Sequence, residues 1–163
     1  MTATPARIAP PAGISPHSAL VRWSWTLLGA LLLQNILGMG LNLYVALPST
    51  VTFTYLFVTT PLLTAHIILW FLLVIMAGLL LVRVRSAEIP GLTWPAVLVL
   101  VFLIVAIQEG FAFVFTGDNA FSYGMEVGFV LAVAFQALLL FRAAKVPDLA
   151  AGSSSHDGPV VAQ

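Results

Sequence analysis

Three ionisable side chains stand inside otherwise apolar stretches of the chain: His66, Glu109 and Glu126. A charged group in a hydrocarbon core costs about 2.5 to 3.5 kcal/mol on insertion scales, so such residues turn toward a bundle interior or a wet cavity. The chemistry open to them is movement of protons or cations, a metal held through the imidazole, or hydrogen bonding to a quinone or the edge of a haem. Gln34, Gly38 and Asn42 recur at i, i+4 and i+8 and so share one helical face, with Asn35 beside Gln34. The candidate site is therefore Gln34, Asn42, His66, Glu109 and Glu126, with His66 as the embedded metal ligand. Two carboxyls close together in low dielectric do not both ionise freely, and His66 is the counter-charge at hand. Each residue also has a structural alternative. His66 bonds to a carbonyl or to a Glu of the next helix; Glu126 reaches outer water; Glu109 is a protonated carboxyl bonded to Gln108 or Thr116.

The chain that must position them has 163 residues, 61% hydrophobic and only 7% charged, with six Lys or Arg against six Asp or Glu. A soluble domain carries about 25% charged residues, so this composition belongs to a membrane protein. At about 20 residues per crossing, four or five spans are the most it can hold. There is no basic excess for nucleic acid and no cysteine for a disulfide, an iron–sulfur cluster or a thiol nucleophile. No nucleophile elbow, P-loop or G-x-G-x-x-G is present, so an accessory role is expected ahead of an enzymatic one.

Four long apolar runs, about 23–44, 60–82, 94–115 and 123–141, each have the length of a spanning helix. The first is too long for a signal-peptide core and is followed by three more; none alternates as a β-barrel strand would. The expected fold is all-α, a four-helix transmembrane bundle over 19–145, with flexible tails at 1–18 and 146–163. The 46–59 connection reads as an ordered loop at the membrane interface, begun by Pro48 and ended by Pro61; the short TGDNAFS connection makes the last two helices antiparallel neighbours. Arg7, Arg22, Arg83, Arg85, Arg142 and Lys145 all fall on one side of such a bundle, which the positive-inside rule makes cytoplasmic, with both termini. Trp23, Trp25 and Trp94 then mark the inner interface and Tyr44 and Tyr123 the outer.

Counting at 1.5 Å per residue places His66 about 26 Å above Arg83, Glu109 about 22 Å above Trp94 and Glu126 about 24 Å above Arg142. They share a level in the outer half, near Met39 and Met125. Gly124, Gly128 and Ala132 form a stripe of small residues that lets a neighbouring helix or a second protomer approach closely. Glu126 lies about 160° round the helix from Gly128, on a different face.

The segment LLLQNILGMGLNL, with Gln34 four residues before Gly38, followed by a helix with His66 near its outer end, resembles half of the haem A synthase fold. That family consists of two four-helix units, each holding haem between a His on its second helix, in an E-x-x-H-R motif, and a His on its fourth. Only His66 carries over: Leu63 stands in the place of the Glu, Ile67 in that of the Arg, and the fourth helix contains no His. The resemblance implies the four-helix layout over roughly 20–142 and haem as a cofactor, with Met39, Met125, an open position or a residue of another chain opposite His66. The chain is also similar to many small bacterial four-helix membrane proteins. The expected function is that of a small polytopic protein of the bacterial inner membrane, acting through its polar cluster and associated with haem or quinone. The alternatives are a proton- or cation-coupled transporter or channel subunit using Glu109 and Glu126, and a purely structural subunit. The expected partners are the lipid bilayer and a second copy or a larger membrane complex, not nucleic acid.

Overall fold

The computed structural model describes residues 16–45, 52, 54, 55 and 60–146. They form four helices: α1 (Pro16–Tyr44), α2 (Pro61–Ser86), α3 (Thr93–Thr116) and α4 (Asn119–Ala144). All four are long and apolar enough to cross a membrane. Most of the 46–59 connection, Arg7 and the residues after Val146 lie outside the described residues.

The helices overrun the apolar runs that reveal them. Residues 16–18 belong to α1 instead of a tail, α2 continues through Arg83 and Arg85, and α4 starts at Asn119. An apolar run measures the thickness of the hydrocarbon, whereas a helix ends where its backbone is capped. Pro61 occupies the first turn of α2, where its missing N–H is no loss. Between α3 and α4, Gly117 takes a left-handed φ of 70° and donates its N–H to Phe113 O at 2.8 Å. Asp118 then caps α4 by accepting from Ala120 N at 2.9 Å. Gly supplies the stop and Asp the start, so two residues reverse the chain.

Each helix packs along its two neighbours in the ring α1, α2, α3, α4, and the Trp70–Phe129 ring contact reaches across the α2–α4 diagonal. The α3–α4 seam is the most extensive. A Cβ on Gly128 would come 3.2 Å from Ala106 Cβ and 3.2 Å from Phe102 O, so the small-residue stripe is used within the chain, against α3. Leu27, Leu31, Leu73, Leu80, Leu103 and Leu139 are fully buried along the axis.

At one end, cations lie over aromatic rings. The Arg83 guanidinium is 4.1 Å from the Trp23 ring, that of Arg142 4.9 Å from Trp94, and Lys145 Nζ 4.0 Å from Phe141. Arg142 also donates to Gly91 O at 3.1 Å, across the α2–α3 turn. The His17 ring lies 2.8 Å from Ala143 O, which brings the start of α1 to the end of α4. The start of α1, the α2–α3 turn and the end of α4 thus share a basic end, and the candidate residues lie toward the other.

Candidate functional site

A cavity of about 260 Å³ opens among the helices in the half away from the basic end. Gly38 and Asn42 of α1, His66 and Trp70 of α2, Gly110 and Phe111 of α3 and Met125 of α4 contribute to its wall, which is otherwise aliphatic and aromatic.

His66 is held from two sides. Trp70, one turn further along α2, donates its indole N–H to His66 Nε2 at 3.0 Å. From α1, the Gln34 amide nitrogen lies 3.1 Å from the same ring nitrogen and donates to the His66 backbone carbonyl at 3.2 Å. An indole nitrogen can only donate, so Nε2 is an acceptor and the ring proton sits on Nδ1. The Gln34 amide is oriented by the same logic, since a flip would set its oxygen against a lone pair and a carbonyl oxygen. Trp70 is itself fixed edge-to-face against Phe129 of α4, with ring centroids 6.0 Å apart. His66 Nδ1 and Gln34 Oε1 are buried and have no hydrogen-bond partner among the described residues. The Nδ1 edge of the ring faces Gly38, where a Cβ would lie 3.2 Å from Cε1 and 3.9 Å from Nδ1.

The remaining sequence candidates fall elsewhere. Asn42 lines the cavity and is exposed. Glu109 is half-buried in the α3–α4 seam: its Oε2 lies 2.8 Å from where a Cβ of Gly124 would stand. Met125 answers this contact, with Sδ 3.0 Å from the Cβ position of Gly110. Glu126 is on the outer surface of α4. Because the Gly128 stripe is turned to α3, a residue about 160° away from it must face outward. Neither Glu lines the cavity, and among the described residues no three His, Cys, Asp or Glu side chains gather as a metal site.

Two residues that carry no charge matter as much. Trp70 could have been found from its i+4 spacing to His66, which puts both on one face. Gln136, 0% exposed, donates its amide to Ser24 O at 2.9 Å and forms a second polar layer nearer the basic end. Its signal was an amide within an apolar run.

These residues do not fit haem. The usual ligating nitrogen, Nε2, is occupied by two partners, and the other carries the proton. A cavity of 150 Å³ holds a benzene ring, so about 260 Å³ accommodates one substituted ring and not a macrocycle of four pyrroles. Met39 is exposed on the outside of α1 and cannot act opposite His66. No protein-family model, curated protein or solved structure matches the chain.

Proposed function

We propose that the chain is a small multi-pass protein of a bacterial cytoplasmic membrane, both termini inside, that holds a neutral lipid-soluble molecule in the outer half of its bundle. Its role is accessory: it binds and presents the molecule without transforming it. The observation that carries this reading is a cavity of about 260 Å³ whose wall is aliphatic and aromatic, with His66 and Asn42 as its polar residues. The same site gives less support to a proton relay. Leu27, Leu31, Leu73 and Leu103 lie, fully buried, between the Gln34–His66 layer and the Ser24–Gln136 layer, so the two polar layers do not join. A structural subunit built on the Gly128 stripe is also less supported, because that stripe already packs against α3.

The test is purification in mild detergent followed by mass spectrometry of an organic extract, comparing the native chain with Val114→Trp, which fills the cavity from α3. A lipid-soluble compound bound to the native protein and absent from the folded variant is expected, with no Soret band in either. Identical extracts from both would overturn the reading.

A further inference from the structure

We infer that two copies of this chain associate in the membrane through the outward face of α3, the Gln108 amide of each bonded to that of the other. Gln108 is exposed within the apolar body of α3, and among the described residues no hydrogen bond holds its amide. At 1.5 Å per residue it stands about 21 Å above Trp94 and about 12 Å below Thr116, inside the hydrocarbon. Side chains tilt toward the N-terminus of their helix, which for α3 is the basic end, so the amide is directed deeper into the core. Glu126 is exposed at a similar depth, but the N-terminus of α4 is the opposite end, so its carboxyl tilts toward the outer surface. Asn35 of α1 is exposed too. At about 100° per residue it lies within about 20° of Ser24, whose carbonyl receives Gln136 of α4, so it turns toward a neighbour in its own bundle. Gln108 lies about 160° from Ala106, the residue that packs on Gly128, and so points away from α4 into the lipid.

A polar side chain in this setting is satisfied by a polar group of another helix. An amide carries both donor and acceptor and is its own complement: two of them across a two-fold axis exchange a pair of hydrogen bonds, which two carboxylates or two guanidinium groups cannot do. Copies inserted with the same end inside are related by an axis along the membrane normal, so their Gln108 residues meet at one depth. Val97, Val101 and Ile104, all exposed, and then Phe111 and Phe115 continue the face on either side of Gln108 in alternating steps of four and three, the spacing of a two-helix seam. The Phe111 and Phe115 rings are stacked, with centroids 6.5 Å apart. A single polar residue in such a seam fixes its register.

The chain has no cysteine, so single cysteines report the contact directly. Oxidation of membranes that hold the protein should turn Ile104→Cys, one turn from Gln108 on the seam, into a disulfide-linked dimer. Val130→Cys, more exposed and on the outer face of α4, should stay monomeric. Sedimentation in mild detergent should show a native dimer whose dissociation constant rises at least about fivefold in Gln108→Leu. Gln108→Asn, which keeps a self-complementary amide, should remain close to native. Both substitutions fall at an exposed, unbonded side chain, so the bundle folds without it. A monomeric native chain, a link through Val130→Cys in place of Ile104→Cys, or an undiminished dimer in Gln108→Leu would each overturn the inference and leave the cavity reading untouched.

Discussion

Trp70 stands one turn after His66 on α2 and donates its indole N–H to the imidazole Nε2 at 3.0 Å. A side chain that can only donate thereby decides which nitrogen of its neighbour carries the proton. Gln34 reaches across from α1 to the same nitrogen and to the carbonyl behind it, so one residue from each helix sets the state of a single ring.

Removing the indole donor should free that choice. In Trp70→Phe, Nε2 loses its obligatory donor and the Gln34 amide can turn to present its unpartnered oxygen to an Nε2–H. Nitrogen NMR of the native chain is expected to show His66 as the Nδ1–H tautomer alone, and of the variant to show a mixture. A native ring protonated on Nε2 would contradict the geometry.

Two glycines of the same stripe should respond differently to a methyl group. A Cβ on Gly128 meets Phe102 O and Ala106 N at 3.2 and 3.3 Å, backbone atoms that cannot step aside. On Gly124 the nearest atom is the end of the flexible Glu109 side chain, at 2.8 Å. Gly128→Ala should destabilise the bundle by about 1–3 kcal/mol, and Gly124→Ala by less than about 1. Thermal unfolding in one detergent compares them; a larger loss for Gly124→Ala would refute this account of the seam.

The amide of Gln136 donates to Ser24 O, yet its own oxygen and the Ser24 hydroxyl are buried without partners among the described residues. Replacing a half-satisfied polar group by an apolar one of similar volume is near neutral or stabilising, whereas truncation leaves a cavity. Gln136→Leu should therefore unfold at or above the native temperature, and Gln136→Ala should lose about 2–4 kcal/mol. If both variants lost equally, the amide itself and not its volume would be what the bundle needs.

Orientation in the membrane can be read by labelling, since the chain has no cysteine of its own. Ala87 and Asn119 are exposed at opposite ends, in the α2–α3 turn and at the start of α4. A thiol reagent that does not cross the membrane should label Asn119→Cys on intact cells and spare Ala87→Cys, as the positive-inside rule requires for a basic cytoplasmic end. The reverse pattern would invert the proposed topology.

Much of this protein is legible along the chain. Four runs of about 20 apolar residues determine four helices because the hydrocarbon core has a fixed thickness and its backbone groups must bond internally. Gly117 and Asp118 mark the α3–α4 reversal through their backbone and capping preferences, and equal depth brings Gln34 and His66 to one layer. What the chain does not display is the direction in which each helix turns. In a soluble bundle polarity marks the inner face, but here the lipid side and the core side are both apolar, so periodicity carries little directional signal. Steric fit between helices makes that decision. The Gly128 stripe locks onto Ala106 and Phe102 O, and this one contact turns Glu126 outward and brings Gly124 under the Glu109 carboxyl. Sequence placed His66, Glu109 and Glu126 at one level; tertiary structure separated them in angle and gave the imidazole to Gln34 and Trp70, because depth is set by the membrane and angle by packing.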